Sequence, residues 1–579
     1  MKTTKNIARL AVTAGLTAVL SFGGVMTPVS MAFAEGTTGS ITINKVDDTN
    51  RDNTFKAYQI FKAKVVDEES KGKVASDIEW SSTTVGSKVI AAIRGSAKYK
   101  EIVDADGTAA LADSATAPVV AEWLAKNVTG TSASSATSSE GTRVAPGDVL
   151  YAIAAAITDE TPAGNPFKVG DSWTRPDTYG DGYYLFVSDG LTDETKPNTG
   201  TSPIFAIVGG KAVTVTEKTS IPTVTKKVKD DRSSSGWADK ADSQMGQDVQ
   251  YQLTGTVADN VATFDTYYYE FHDELSAGLT AKANSVVVKI GDTTLSRNAT
   301  PGANTGYDVS IDANNTLTVT FTDLKAAAKQ ANATLDGRSN VVVTYTAKLD
   351  PMKAANVTVG GLGNDNTVKL IYSNNPMSNG TGKSVPDTVR DYTYALEVIK
   401  QDADNEATKI DGVKFTIQST DPDDAGSKNK YVNDKGILVD DPHEFVTADG
   451  GKINVTGLDA GTYTVHEVEG SNPGYNTLDD FTFTIKAEGL NKDEGVALDE
   501  NTAVNTLKVT VQKDDSATMV TPSVDDGTVT LTVKNKKGSN LPLTGLNGVT
   551  FTWIAGGAVL CIGVAHLIRS RKRDDGSEE

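Results

Sequence analysis

Hydrophobic and polar positions alternate in short runs along residues 35–540, and Gly, Asn and Asp separate the runs. Successive side chains of a β-strand face opposite ways, so such alternation predicts half-buried strands. The clearest runs are rich in Thr and Val, and they are 286–290, 316–321, 341–345 and 529–533. Apolar residues at helical spacing occur mainly in 86–126 and 149–157. We therefore expect a mostly β chain built from antiparallel, immunoglobulin-like sandwiches.

The chain is too long for a single hydrophobic core. Its 579 residues predict three or four domains, because a domain holds about 100–200 residues. The strand pattern breaks near Pro222 and near Asp391. We therefore expect a first domain with helical insertions, a middle domain and a third domain between two terminal segments, with the bounds 35–220, 221–390, 391–540, 1–34 and 541–579.

Composition excludes several classes of function. Hydrophobic residues make up 38% and charged residues 22%, which is typical of a folded chain. The formal net charge of −20 disfavours a nucleic-acid partner. Cys561 is the only cysteine, so the chain has neither an internal disulfide nor a cysteine metal site. With only four histidines, we expect no metal and no other cofactor.

The N-terminus has the layout of an export signal. Lys2, Lys5 and Arg9 precede an apolar stretch over 10–29, and Ala32-Phe33-Ala34 follows as a small-x-small site. This order predicts a secretory signal peptide over 1–34. A membrane anchor is the alternative, and the small-residue site favours cleavage over it.

The C-terminus combines three features in a fixed order. An apolar run over 548–568 has about 21 residues, or about 31 Å as a helix, which is enough to cross a bilayer. The basic cluster at 569–573 predicts a cytoplasmic tail. An LPxTG-like pentapeptide precedes both, and it consists of Leu541, Pro542, Leu543, Thr544 and Gly545.

Three segments begin alike, each with a lysine on the apolar side of a predicted strand. Side chains at i, i+2 and i+4 of a strand face one way. The lysines that share parity with preceding apolar residues are Lys45, Lys226 and Lys400. A buried lysine is unfavourable unless it is neutral, paired or chemically changed. The alternative is a lysine at a strand end whose amine reaches solvent.

Later strands place an acid and an asparagine on the same inward face. Asp273 shares its face with Phe271, and Glu467 shares its face with Val465. Asn374 and Asn535 each end an apolar face. The middle and third domains thus each present a lysine, an acid and an asparagine, in that order.

Two of the domains resemble known ones. Residues 396–535 resemble a CnaB-type domain, and Tyr463–Tyr475 is similar to its "YxLxETxAPxGY" box, with Val468 in place of Thr and Asn472-Pro473-Gly474 in place of Ala-Pro-x-Gly. Residues 222–380 resemble the middle domain of sortase-assembled major pilins of Gram-positive bacteria, including Tyr372-Ser373-Asn374-Asn375-Pro376.

The resemblance implies one spontaneous isopeptide bond in each of these domains. The residues implied are Lys226, Asp273 and Asn374 in the middle domain and Lys400, Glu467 and Asn535 in the third. Burial lowers a lysine pKa and raises that of a carboxylic acid, so both groups can be neutral. The amine then attacks, while the acid hydrogen-bonds to the asparagine carbonyl and shuttles protons. This is a single turnover on the chain itself, so the protein is not expected to be an enzyme.

The first domain departs from this pattern. Aligned on the Glu467 segment, Ser188 takes the place of the acid, and Asp189 has the wrong parity. We therefore predict no isopeptide bond at Lys45.

The end of the first domain offers a lysine for linkage between subunits. Residues 213–218 are similar to the pilin motif "VxVYPKN", without its Tyr-Pro and with Thr219 where Asn is usual. The C-terminal features resemble a sorting signal, so a sortase is expected to cut after Thr544 and join it to Lys218 of another subunit. A solvated linker lysine is the alternative at 218, and neighbouring lysines compete for the linkage: Lys211, Lys226, Lys227 and Lys229.

We therefore expect the backbone subunit of a covalent pilus, or fimbrium, on the surface of a Gram-positive bacterium and anchored to its wall. The resemblance implies as partners pilin-specific and housekeeping sortases, identical subunits, minor or tip pilins and peptidoglycan, with host surface ligands a further possibility. The alternative is a monomeric wall-anchored adhesin that binds a host protein or glycan. A surface hydrolase has little support because no catalytic constellation is present in the sequence.

Overall fold

The computed structural model describes residues 39–45, 53–68, 72–128, 144–189, 191, 197–217, 220–231, 236–422, 425–490 and 508–538. The predicted signal peptide, Lys218 and the segment from Leu541 to the C-terminus lie outside these ranges. Within them, no helix is long and apolar enough to span a bilayer. The expected fold class, mostly β with helices inserted in the first domain, is confirmed.

The first domain consists of a five-stranded sheet, a three-stranded sheet and a group of helices. The long sheet has the order β3-β2-β6-β7 with β4 beside β2, and the short sheet has the order β5-β1-β8. The strands are β1 (Ser40–Asn44), β2 (Thr54–Glu68), β3 (Gly72–Trp80), β4 (Phe167–Lys168), β5 (Ser172–Thr174), β6 (Gly182–Asp189), β7 (Ile204–Val208) and β8 (Val213–Thr216). The helices are α1 (Thr83–Gly95), α2 (Ala97–Ala105), α3 (Ala117–Asn127) and α4 (Val149–Ile157).

Strand β6 is covered on both faces, and the helices of the first domain share the core on one of them. Tyr183, Leu185 and Val187 pack in the core that the helices share. Tyr184 and Phe186, on the other face, pack against the short sheet. A strand covered on both faces reads as a continuous apolar run instead of an alternating one.

The middle domain is a sandwich of two seven-stranded sheets. One sheet has the order β10-β9-β12-β19-β15-β16 with β14 beside β19, and the other has the order β11-β22-β20-β13-β18-β17 with β21 beside β20. The elements are β9 (Val224–Lys229), β10 (Trp237–Ala238), β11 (Lys240–Asp242), β12 (Val249–Thr256), β13 (Tyr269–Leu275), β14 (Leu279–Ala281), β15 (Val287–Ile290), β16 (Thr293–Thr294), β17 (Asp308–Ile311), β18 (Thr316–Phe321), α5 (Leu324–Gln330), β19 (Asn340–Leu349), β20 (Asn364–Ser373), β21 (Thr381–Lys383) and β22 (Asp387–Tyr392).

The third domain is a smaller sandwich, and Thr393 separates its first strand from β22 of the middle domain. Its sheets have the orders β28-β23-β33-β32 and β26-β25-β24-β29-β30-β31, with β27 beside β24. The strands are β23 (Tyr394–Asp402), β24 (Lys414–Pro422), β25 (Tyr431–Val432), β26 (Leu438–Val439), β27 (Phe445–Val446), β28 (Lys452–Leu458), β29 (Gly461–Glu467), β30 (Phe481–Glu488), β31 (Lys508–Lys513), β32 (Val520–Asp525) and β33 (Thr528–Asn535).

Candidate intramolecular crosslink sites

The third domain aligns its lysine and asparagine by strand register. Strand β23 pairs in parallel with β33, and Lys400 lies opposite Val533. Asn535 is two residues further along, so it shares the inward face of β33 with Val533. Glu467 ends β29 in the facing sheet. Lys400, Glu467 and Asn535 are all buried, so the fold brings the three predicted side chains into one interior site.

Direct contacts join all three side chains. The Lys400 amine donates to Oε2 of Glu467 at 3.0 Å and also hydrogen-bonds to Oδ1 of Asn535. The Asn535 amide nitrogen donates to Glu467 at 2.7 Å to Oε1 and 3.0 Å to Oε2. The Phe415 ring centroid lies 5.4 Å from the amine. The nitrogens of Lys400 and Asn535 therefore contact the same carboxyl group.

Burial changes the protonation of this lysine. Desolvation lowers the pKa of Lys400 to about 8, although the charge of Glu467 opposes the shift. At neutral pH, the fraction of Lys400 in the neutral form, with a free lone pair, is therefore far larger than that of an exposed lysine. Such an amine is the form that attacks a carbonyl carbon.

The amide is oriented differently from the sequence-based expectation. The acid was expected to hydrogen-bond to the asparagine carbonyl, whereas Glu467 faces the amide nitrogen of Asn535. The carbonyl oxygen instead accepts from Lys400. An acid in this position is placed to protonate the departing nitrogen.

The middle domain also buries its lysine and acid together. Lys226 on β9 and Asp273 on β13 lie in facing sheets, and both side chains are 0% exposed. The Lys226 amine hydrogen-bonds to Asp273 Oδ1 and, at 3.1 Å, to the Tyr345 hydroxyl. Desolvation lowers the pKa of Lys226 to about 8, and Asp273 again opposes the shift.

Asn366, and not Asn374, is the asparagine at this site. Its amide nitrogen donates to the Tyr345 hydroxyl at 2.7 Å, and that hydroxyl donates to Asp273 Oδ2 at 2.6 Å. Register explains the difference, since Val368 of β20 lies opposite Asp273. Asn366 is two residues from that pair, whereas Asn374 is six residues away, or about 20 Å along the strand. The assignment of Asn374 to Lys226 is therefore wrong.

Asn374 lies instead at the junction with the first domain. Its amide nitrogen donates to Asn198 Oδ1 at 2.7 Å and to the Leu191 carbonyl at 3.2 Å. Asn375 donates to the Ser188 carbonyl at 3.0 Å. The segment 372–376 thus contacts the neighbouring domain.

Sequence parity alone could not separate the two asparagines. Asn366 of β20 and Asn374, the residue directly after β20, have the same parity and lie at opposite ends of an apolar run. The deciding information is the register between β20 and β13, which parity does not give. Tyr345 was missed because an inward tyrosine in a strand is ordinarily read as core.

Among the described residues of the first domain, no lysine is buried. Strand β1 pairs in parallel with β8, and Ile43 lies opposite Val215, as Lys400 lies opposite Val533 in the third domain. Lys45 lies beyond the end of β1 and is half-buried. Ser188 is buried and accepts a hydrogen bond from the Thr201 amide at 3.0 Å.

Sequence-predicted residues for linkage between subunits lie outside the described ranges. They are Lys218, Leu541, Pro542, Leu543, Thr544 and Gly545. Across the described part of the chain, no three His, Cys, Asp or Glu side chains are grouped so that they could hold a metal ion.

Residues 395–501 match the model of the SpaA prealbumin-like fold domain family. No curated protein matches the chain in sequence.

Solved structures with similar folds include three pilins. The T6 backbone pilin of Streptococcus pyogenes is 15% identical, with 87% of this chain and 100% of that chain covered and a TM-score of 0.49. The major pilin SpaD of Corynebacterium diphtheriae is 16% identical, with 87% of this chain and 98% of that chain covered and a TM-score of 0.45. BcpA, the major pilin subunit of Bacillus cereus, is 17% identical, with 66% of this chain and 91% of that chain covered and a TM-score of 0.36. The segment 395–501, which contains Lys400 and Glu467, is thus similar to the SpaA prealbumin-like domain.

Proposed function

We propose that the chain is the backbone subunit of a covalently polymerised pilus on a Gram-positive cell. In this proposal a sortase joins Thr544 of one subunit to Lys218 of the next, and the polymer is finally attached to the cell wall. Two intramolecular isopeptide bonds stabilise each subunit, one in the middle domain and one in the third. The observation that carries the proposal is the buried contact of Lys400, Glu467 and Asn535.

The bond in the third domain forms by transamidation. The neutral Lys400 amine attacks Cγ of Asn535, and a C–N bond forms. Glu467 accepts a proton from the attacking nitrogen and delivers one to the amide nitrogen, which it contacts at 2.7 Å. The original Cγ–Nδ2 bond then breaks, and ammonia leaves. The fold replaces an intermolecular encounter, because all three groups are already in contact.

The bond in the middle domain joins Lys226 to Asn366. These residues lie on β9 and β20, which belong to facing sheets, so the crosslink would tie the two layers of the sandwich together. In the third domain the bond would instead tie two adjacent parallel strands of one sheet. In both arrangements tension would pass through the covalent bond and bypass the chain between the two linked residues.

Three sequence features and one family match support a polymer on the cell surface. They are the N-terminal export signal, the sorting signal that contains Thr544, the partial pilin motif that ends at Lys218, and the match of residues 395–501 to the SpaA prealbumin-like family. A lysine between two domains is within reach of an external enzyme.

The polymer is tested by surface extraction from cells that express the chain. Wild-type protein is expected to form a ladder of SDS-resistant species on gels, and Lys218→Ala is expected to reduce it to the monomer. Lys211→Ala is the matched control, since Lys211 is an exposed lysine in the same region. A persistent ladder in Lys218→Ala contradicts the linkage residue, and a monomer in the wild type contradicts the polymer itself.

A further inference from the structure

The two candidate crosslink sites differ in how the acid reaches the amide. In the third domain, Glu467 contacts the Asn535 amide nitrogen with both oxygens. In the middle domain the acid is Asp273, whose side chain is one methylene shorter. Within the described chain, no hydrogen bond joins Asp273 directly to Asn366, and the Tyr345 hydroxyl lies between them.

Tyr345 contacts the lysine, the acid and the asparagine of the middle-domain site. It lies on β19, in the sheet that faces Asp273 and Asn366, and it is 2% exposed. Its hydroxyl accepts from Lys226 at 3.1 Å and from the Asn366 amide nitrogen at 2.7 Å, and it donates to Asp273 at 2.6 Å. The hydroxyl thus bridges the acid and the amide in the middle domain, whereas Glu467 contacts the amide directly in the third.

We infer that Tyr345 is a catalytic residue of the middle-domain crosslink, relaying a proton between Asp273 and the departing nitrogen of Asn366. The inference rests on the proposed function, because it concerns the Lys226–Asn366 bond. It assigns a role that a core tyrosine would not have, and it applies to the middle domain alone.

The relay balances the reaction. Lys226 attacks Cγ of Asn366, and its surplus proton passes to Asp273, which it contacts directly. Asp273 then donates to the Tyr345 oxygen while Tyr345 gives its own proton to the amide nitrogen. The Cγ–Nδ2 bond breaks and ammonia leaves, so Asp273 and Tyr345 end as they began. A hydroxyl can act this way because it both donates and accepts.

Protonation of Tyr345 is consistent with the relay. Burial raises the pKa of its hydroxyl well above the usual value, and the charge of Asp273 adds to the shift. The hydroxyl therefore keeps its proton at neutral pH and exchanges it only with a partner in contact.

Tyr251 provides a matched control for packing. Its ring stacks on that of Tyr345, with centroids 5.3 Å apart, and the Lys226 amine lies 5.5 Å from each ring centroid. The Tyr251 hydroxyl is also buried and makes no hydrogen bond of good geometry, although the Asn366 side chain is near enough to act on its pKa. Tyr251→Phe removes a buried hydroxyl from the same aromatic stack, whereas only the Tyr345 hydroxyl connects the reacting groups.

The test follows bond formation in the full chain during cell-free synthesis, with samples denatured at successive times. Peptide mass mapping reports the Lys226–Asn366 and Lys400–Asn535 links separately. Tyr345→Phe is expected to slow the first link on the order of 100-fold, as for loss of a general acid–base group. The second link is expected to form at the wild-type rate in the same molecules. In Tyr251→Phe both links are expected at wild-type rates.

A rescue variant separates chemistry from packing. In Tyr345→Phe with Asp273→Glu, the longer carboxylate can reach the amide directly, as Glu467 does, so the link is expected to return. Formation of the Lys226–Asn366 link at the wild-type rate in Tyr345→Phe would overturn the relay, as would equal slowing in Tyr251→Phe. Absence of that link from the wild-type chain would overturn the proposed crosslink itself, and the relay with it.

Discussion

At the scale of single residues, the sites depend on a lysine that folding has taken out of water. Lys226 and Lys400 are both 0% exposed, each lies beside a carboxylate, and each faces aromatic rings. Desolvation lowers both pKa values from 10.5 to about 8. An uncompensated buried ammonium is unfavourable, and conversion to an amide would remove the charge permanently.

Glu467 can be tested by an isosteric change. Glu467→Gln keeps the shape of the side chain but cannot carry a proton, so the third-domain link is expected to be lost. The intact mass then exceeds that expected from the wild type by one ammonia, after allowance for the substitution. Loss of a link that spans 135 residues is expected to lower the unfolding free energy of this domain by about 5 kcal/mol.

The control for this variant is Glu469→Gln, at an exposed neighbouring glutamate. It is expected to retain both links and the wild-type melting temperature. A Glu467→Gln chain that still loses two ammonia molecules would show that the carboxyl group is dispensable.

The rate of link formation in the third domain is expected to depend on pH. The Lys400 pKa is lowered to about 8, so below this pH the native lysine is mostly protonated. Each unit of decrease then reduces the neutral fraction about tenfold, and above about pH 8 the rate levels off. To measure the dependence of this rate on pH, newly synthesised chain is transferred to buffers of different pH, and link formation is followed over time by mass spectrometry. If the rate keeps rising with pH up to the pKa of an exposed lysine, the lowered pKa of Lys400 and its desolvation are contradicted.

At the scale of the strand, alternation along one strand predicts which side chains face inward, but not which of them meet across strands. The inward positions of Lys226, Asp273, Lys400 and Glu467 follow from alternation along single strands, and the structure buries all four. The pairing of Lys226 with an asparagine depends on how β20 aligns with β13, which no single strand encodes. The three residues predicted for the third-domain site are in contact, although Glu467 faces the amide nitrogen of Asn535 and not its carbonyl. In the middle domain the prediction named Asn374 where Asn366 lies, and it did not include Tyr345.

Helical segments of the first domain were predictable for a related reason. Apolar residues at helical spacing over 86–126 and 149–157 correspond to α1, α2, α3 and α4, the last with the same bounds as predicted. What the pattern could not give is the layer order. The continuous apolar run of β6 reflects cover on both faces by elements that are distant in sequence.

Register is tested by variants of two asparagines of the same parity, Asn366 of β20 and Asn374 directly after it. Asn366→Ala is expected to abolish the middle-domain link, because it removes the acceptor beside Tyr345. Asn374→Ala is expected to leave that link intact and to weaken the contact with Asn198 in the first domain. Peptide mapping of each variant measures the link. A link lost in Asn374→Ala and kept in Asn366→Ala would mean that the register is misassigned.

At the scale of the whole molecule, the links would make up for an absence of disulfides. The chain has one cysteine, so an exported subunit under mechanical load needs another covalent constraint. The proposed links lie in the second and third domains, whereas no lysine is buried among the described residues of the first. Lys218 follows that first domain directly, so in a polymer joined through Lys218 the load would bypass the domain without a link.

The central claim is that the chain crosslinks itself at two interior sites. The most direct test is intact-mass measurement and peptide mapping by tandem mass spectrometry of the wild-type protein released from the cell surface. The predicted result is a loss of two ammonia molecules, with links joining Lys226 to Asn366 and Lys400 to Asn535. A chain of unmodified mass, or one in which these four side chains are recovered free, would contradict the account.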